Sequence, residues 1–317
     1  MPRKPNYNFE RHERDRLKAE KKAAKAKVKA EKAEKAKTAI KPDAETYERD
    51  GFVFPLSVLT PIEASALRND LESAEAELQD NPDKLSLLRA YPDRLLPSFD
   101  QIIRHPKILD AVRQVLGPDL MVWSAAIFSK DANSPHVVSW HQDLTYWDLD
   151  DAEEVTCWLA LSTASRESGC MQFIPGSHKL KAVPHTDTFS ETNLLTRGQE
   201  VAVEVDQSEA AYVELDPGQA SMHHGHLFHA SDPNKSNDRR LATSIRYISP
   251  SMKQSSGERT LVALVSGEDR YENFEIAAAP NGRLSDDDFS QCRLDSEIRR
   301  RLLYQGAETA AEQGKRY

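Results

Sequence analysis

The sequence predicts a mainly β protein with flanking helices, built as an antiparallel double-sheet barrel of jelly-roll type. Three observations carry this expectation. Seven short runs rich in β-branched and aromatic residues follow one another from Met121 onward, with turn residues between them. Two helix signals opened by proline precede these runs, so helices lie against one face of the sheets. No internal repeat is present.

Taken in order, Asp43–Asp50 reads as a short helix capped by Asp43 and stopped by Gly51, and Phe52–Phe54 as a brief buried strand. Thr60-Pro61-Ile62-Glu63 is a capping box with proline at the first helical position, predicting a helix to about Gln79. Ile62, Ala66, Leu67, Leu71 and Ala74 form its expected apolar face. A second helix starts at Pro106 and ends at Gly117, with Ile108, Leu109, Val112, Val115 and Leu116 inward. The predicted strands are Met121–Ser129, Val137–Tyr146, Val155–Ser162, Cys170–Ile174, Ala211–Leu215, Ala220–His224 and Arg240–Ile248. Residues 177–207 are polar and resist assignment; a loop this long in a compact domain suggests an insertion over a pocket mouth. Asp286–Gly314 is acidic and then basic, which fits one or two peripheral helices.

The 317 residues suffice for a substantial core, and charge divides them into two regions. Residues 1–42 hold 15 lysines and arginines against six acidic residues, whereas the remainder holds 27 against 45. Residues 1–42 are expected to form a basic helical or disordered arm, and 43–317 the folded domain. An acidic body argues against nucleic-acid binding except through the arm, because phosphate neutralisation needs clustered cations. Cys157, Cys170 and Cys292 form no CxxC pair and read as reduced thiols. No run approaches the roughly 18 apolar residues of a membrane span, and no secretory signal is visible, so a cytoplasmic protein without a membrane partner is expected.

The chemistry centres on His141-Gln142-Asp143. In an extended strand His141 and Asp143 project to the same side, where an imidazole and a carboxylate can share one metal ion. Gln142 points the other way. Eighty-eight residues beyond His141, at the end of the run His223-His224-Gly225-His226-Leu227-Phe228-His229, stands a candidate third ligand. His229 is favoured over His223, His224 and His226 because Arg239 and Arg240 follow it across a turn. An iron oxygenase that uses 2-oxoglutarate needs three ligands on one face of Fe(II) and a fixed cation for the distal carboxylate of the keto acid. Arginine suits the second task, since its planar fork binds carboxylate through two bonds and keeps its charge. Arg239 and Arg240 face opposite sides of a strand, so only one of them enters the pocket.

His141-Gln142-Asp143, the segment Gly169-Cys170-Met171-Gln172-Phe173-Ile174-Pro175-Gly176-Ser177-His178, and His229-Ala230-Ser231-Asp232-Pro233-Asn234 with Arg240 together resemble the phytanoyl-CoA dioxygenase family over roughly Glu45–Glu268. The resemblance implies a double-stranded β-helix core, Fe(II) held by His141, Asp143 and His229, and 2-oxoglutarate anchored by Arg240. It also implies that Ser231 and Trp158 contact the co-substrate and that O2 is consumed. Relatives that halogenate carry a small residue where Asp143 stands, so hydroxylation of a small organic or acyl substrate, with release of succinate and CO2, is the implied reaction. Tyr146 and Trp147 are expected to line the substrate cavity, and Arg246 to make a separate structural or substrate contact. Ile174–His178 reads as a structural turn, because Pro-Gly is a strong turn signal.

Two other readings use the same residues. A cupin-like metalloprotein, an isomerase or direct dioxygenase, would keep the three ligands and gain nothing from Arg240. A scaffold without catalysis would leave the basic arm as the working part, with an anionic partner. A nucleophilic hydrolase has no support, since no Gly-x-Ser-x-Gly elbow is present.

Overall fold

The structure is a computed structural model and describes residues 44–151 and 153–304; the expected arm at 1–42 lies outside the described residues. In chain order the elements begin with α1 (Ala44–Asp50), β1 (Phe52–Ser57), α2 (Pro61–Glu77), α3 (Pro82–Ala90), α4 (Pro92–Leu95), α5 (Pro97–Ile103) and α6 (Pro106–Leu116). Strands follow as β2 (Leu120–Lys130), β3 (Val138–His141), β4 (Glu154–Ala160), β5 (Met171–Phe173), β6 (His185–Asp187) and β7 (Gln199–Val201). The last elements are β8 (Ala211–Val213), β9 (Gln219–His223), β10 (His229–Ser231), β11 (Arg240–Ile248), β12 (Leu261–Ser266), β13 (Glu275–Ile276) and α7 (Asp286–Leu303).

Two sheets make the barrel. The larger has the order β1-β9-β4-β11-β2-β12-β13 and the smaller β3-β10-β5-β8. Strand alternation sorts the side chains of the large sheet into two layers. On β4 and β11, Val155, Cys157, Leu159, Leu241, Ile245 and Tyr247 pack under the helices with Leu67, Leu71, Leu88, Phe99 and Ile108. Trp158, Ala160 and Ala242 face the opposite way, against Met171 and Phe173 of β5 in the small sheet. Both faces are thus covered, which is why every residue of β4 and β11 is buried.

The helix at residues 61–77 starts with its capping box in place: Thr60 Oγ1 accepts from Glu63 N at 3.3 Å, and Glu63 Oε2 accepts from Thr60 N at 2.7 Å. Its buried face is Ala64, Leu67, Leu71 and Ala74, whereas Ile62 is 82% exposed and Ala66 is exposed too. The expected stripe was therefore rotated: in the first turn Ala64 takes the inward position. Between residues 82 and 103 three short helices appear that periodicity did not announce, each opened by a proline, Pro82, Pro92 or Pro97.

The segment 177–207 is not a bare loop. It contains a 3-10 turn at Ser177–Leu180 and the two-stranded ribbon β6–β7. Arg197 fastens this ribbon, donating to Asp187 and to the carbonyl of Leu303 at the end of α7.

Candidate metal centre

The predicted strand Val137–Tyr146 is shorter than expected. Strand β3 ends at His141, and Asp143 has φ −66° and ψ −49°, opening a 3-10 turn at Leu144–Tyr146. His141 and Asp143 therefore do not converge by strand alternation; the chain turns at Gln142 and brings the carboxylate back over the imidazole. Gln142 is fully buried and holds this turn, donating to the carbonyls of Lys181 and His226 and accepting from Val183 N.

The third group arrives by strand pairing. Strands β3 and β10 are antiparallel with His229 directly opposite His141, and the two rings lie 4.0 Å apart. Asp143 Oδ1 stands 3.4 Å from His141 Nε2 and 3.8 Å from His229 Nε2. One ligand atom from each of the three residues falls within 4.8 Å of the others. Each imidazole uses its Nδ1 on a backbone carbonyl, His141 on Ser139 O at 2.8 Å and His229 on Leu227 O at 3.0 Å. Since a carbonyl only accepts, Nδ1 carries the proton and Nε2 presents its lone pair inward, the form that binds a metal. Burial, and then the charge on His141, lower the pKa of His229 to about 4, so it is neutral at physiological pH. Burial alone would raise Asp143, but in the metal-free site the hydrogen bond and attraction that protonated forms of His141 and His229 would offer it, together with the Arg246 guanidinium, outweigh burial and hold the carboxyl far below the usual range. Two neutral imidazoles and one carboxylate fit a divalent cation of the first transition row.

Other histidines of the run stay outside this triad. His224 accepts from His226 N and packs near His178, while the His226 carbonyl holds Gln142. His223 is buried beside His229, at 4.9 Å between rings, with neither nitrogen hydrogen-bonded.

A small cavity of about 30 Å³ runs from the triad between the sheets, lined by Trp158, His223, Ser231, Arg240, Ser244 and Arg246 among others. Arg240, Ser244 and Arg246 share one face of β11, and the odd-numbered Arg239 leaves by the other side to pair with Glu75. Arg240 is 2% exposed, donates among the described residues to Gly169 O at 2.8 Å, and lies 5.4 Å from the Trp158 ring. Gly169 has φ +70°, and a Cβ there would meet Asp232 O at 2.2 Å, so the carbonyl that holds Arg240 sits where only glycine fits.

Sequence reasoning missed Lys130, because a lysine ending an apolar strand reads as the solvent end. It is 1% exposed and stands in register opposite Arg240. Its ammonium donates to Ser231 O at 3.1 Å, Ser231 Oγ at 2.7 Å and Asp232 O at 2.5 Å. Burial, and then the charge on Arg240, lower its pKa to about 7.

A second cavity of about 550 Å³ opens from the triad past Tyr146 and Trp147 toward α3, α7 and the segment Leu194–Gln199. Trp147 stacks on Trp123 at 5.0 Å, and Tyr146 meets His185 edge-on at 5.4 Å. The Ile174–His178 segment is structural, as expected: Gly176 N donates to Asp50 O, and Ser177 Oγ accepts from Phe228 N. No helix among the described residues is long and apolar enough to cross a membrane.

A family model described as "Phytanoyl-CoA dioxygenase (PhyH)" matches residues 47–242. A probable phytanoyl-CoA dioxygenase of Caenorhabditis elegans is 24% identical over 192 residues, 58% of this chain and 61% of the relative. A probable alpha-ketoglutarate-dependent hypophosphite dioxygenase of Stutzerimonas stutzeri is 28% identical over 189 residues, 58% and 65% respectively. The chain thus spans less than two thirds of the length of these curated relatives. Among solved structures, the non-heme monooxygenase ThoJ in its apo form matches with a TM-score of 0.75 and 32% identity, over 83% of this chain and 97% of that one. The core is accordingly a double-stranded β-helix, and the chain belongs to the phytanoyl-CoA dioxygenase family.

Proposed function

We propose that the protein is an Fe(II)- and 2-oxoglutarate-dependent dioxygenase that hydroxylates a small organic or acyl substrate and releases succinate and CO2. The observation that carries this reading is the pairing of a three-ligand site with a buried arginine at the far wall of the adjoining small cavity. When bound, Fe(II) and the keto acid supply the activation of O2. The chain's own groups do the rest. His141, Asp143 and His229 hold the metal, and Arg240 holds the distal carboxylate of the keto acid. The Trp158 ring packs beside that arginine. Tyr146 and Trp147 line the substrate cavity. The carboxylate of Asp143 occupies the position that halogenating relatives leave open, which supports oxygen transfer. The relatives' printed names, an alpha-ketoglutarate-dependent dioxygenase and a non-heme monooxygenase, support the same class. Anaerobic titration with Fe(II) and 2-oxoglutarate is expected to give the weak visible charge-transfer band of the chelate; no band from intact protein would sink the proposal. A metalloprotein without keto-acid dependence would bind Fe(II) yet give no such band.

Ser231 and Lys130 add a pH dependence. An ammonium only donates, so Ser231 Oγ accepts from Lys130 and its own hydrogen is free to point into the small cavity. The groups acting on Lys130 are Arg240, Asp232 and Cys170. Burial depresses Lys130, and a bound dicarboxylate favours its charged form, so keto-acid binding is expected to weaken as pH rises through about 7. Anaerobic calorimetry of the metal-loaded protein between about pH 6 and pH 9 checks this. The Lys130→Met variant should bind more weakly with a flat profile, and an unchanged profile would remove Lys130 from the account.

Residues 1–42 are read as a separate basic arm ahead of the domain at 43–317. Salt-dependent nucleic-acid binding that disappears on deleting 1–42 would support a role for it with an anionic partner. Three buried free thiols, Cys157, Cys170 and Cys292, support placement in the cytoplasm.

A further inference from the structure

Arg246 is a buried cation that metal and keto-acid binding do not use up. It is 8% exposed, lines both cavities and donates to Ser124 Oγ at 3.0 Å; its Nε has no partner. Its guanidinium lies 4.9 Å from the Trp147 ring and 5.8 Å from Phe128. Two buried carboxylates act on it through space, first Asp143 and then Glu154; among the described residues neither forms an ion pair with it, and burial pushes the Glu154 carboxyl well above the usual carboxylate range, toward its neutral form.

This inference rests on the function proposed above. A divalent metal with the Asp143 carboxylate leaves one positive charge, and Arg240 adds another. The two carboxylates of the keto acid cancel both. Lys130 faces Ser231 and Asp232 and does not line the large cavity. Arg246 is then an uncompensated charge in a low-dielectric site, and such a charge is costly unless the ligand neutralises it. The other charged groups around the cavity do not do so. Asp83, Arg293, Glu297 and Arg300 are exposed, and Arg299 is tied to Asp295 and to the carbonyls of Trp123 and Leu261. The cavity wall carries the flat aromatic surfaces of Trp123, Trp147, Phe128 and Tyr146, of which Trp147 and Phe128 lie against Arg246.

We propose that the substrate is a flat, largely apolar molecule bearing one carboxylate or comparable oxyanion, which Arg246 and Ser124 bind at the inner end of the 550 Å³ cavity. The charge sets the register of the substrate: the oxyanion docks on β11, and the carbon to be oxidised is the one its scaffold then holds over the metal.

The test uses the full chain loaded anaerobically with Fe(II) and saturating 2-oxoglutarate, with 2-naphthoate and the isosteric 2-naphthamide as probes. Binding is read from quenching of tryptophan fluorescence, since Trp123 and Trp147 line the cavity. The expected result is at least about tenfold tighter binding of the carboxylate than of the amide, as one charge-assisted bidentate bond would give. Arg246→Gln should bring the two probes level, and Arg246→Lys should restore part of the preference. The chelate band is recorded first in each protein, so its absence in the wild type reports failure of the dioxygenase reading itself. With the band present, equal binding of both probes by the wild type overturns the proposal. So does an Arg246→Gln variant that keeps the preference but loses the chelate, because Arg246 would then serve the keto acid. The wild-type comparison decides the matter even if that variant does not fold.

Discussion

Arg240→Met is expected to weaken 2-oxoglutarate binding by about 2 to 4 kcal/mol, roughly 30- to 1,000-fold, while divalent metal affinity stays within about threefold. The magnitude follows from what is removed. Arg240 is buried to 2% exposure and among the described residues its guanidinium has a single hydrogen bond, to Gly169 O, so most of its donors remain for a ligand. A carboxylate delivered there would be paired in a low-dielectric wall, where a charge-assisted bidentate contact is strong. Arg240→Lys keeps a charge without the fork and should fall between the two. Metal affinity, read by competition with a chelating dye, serves as the control, because the ligands stand on β3, β10 and the turn after β3. Succinate release that continues unchanged in Arg240→Met at limiting 2-oxoglutarate would show that Arg240 does not anchor the keto acid.

A larger effect is expected from His229→Ala. Loss of one of three ligands should lower Fe(II) affinity by at least about 100-fold and abolish the chelate band, since even an outer partner of a ligand is worth 10- to 100-fold. The consequence extends to the fold around it. His229 faces His141 across the β3–β10 pair and touches Phe173 on the other neighbour, so truncation opens a gap at the centre of the small sheet. A drop of about 2 kcal/mol in stability without metal is expected, by analogy with other large-to-small changes in buried positions. Asp143→Ala should match the metal loss with less effect on the fold, because Asp143 belongs to a turn rather than a strand pair. A variant of either kind that keeps wild-type metal affinity would overturn the ligand assignment.

The gathering of His141, Asp143 and His229 was legible in the sequence, because metal chemistry admits few residue types and their order along the chain limits the choice. The preference for Arg240 over Arg239 as the carboxylate anchor came from the family resemblance. Strand alternation is nevertheless not what brings His141 and Asp143 together. Asp143 is helical in its backbone and reaches the site through a turn that Gln142 pins. Side-chain identity survives such a change in local conformation; backbone geometry cannot be read from a triplet. Arg239 and Arg240 illustrate the opposite case. Their separation to two faces followed from strand alternation alone, and β11 begins at Arg240 as expected. The helices at 82–103 escaped notice because each is too short to establish a period, although their opening prolines were in view. Ile62 misled for a related reason: near a helix start, position relative to the sheet decides burial, and that is set by the rest of the fold. Lys130 was beyond reach, since only the pairing of β2 with β11 reveals that its strand end is interior.

The division of labour between the two sheets has one further consequence. The two imidazoles of the triad belong to the small sheet, whereas Arg240, the proposed anchor of the distal carboxylate, belongs to the large one. A keto acid bound to both therefore bridges the barrel from leaf to leaf, and the spacing of the leaves acts as a calliper on its carbon chain. That spacing is maintained by the packing of Trp158, Ala160 and Ala242 against Met171 and Phe173. On that assignment, choice among dicarboxylic keto acids of neighbouring length would depend on the apolar packing between the leaves as well as on the groups that hold the two ends of the molecule.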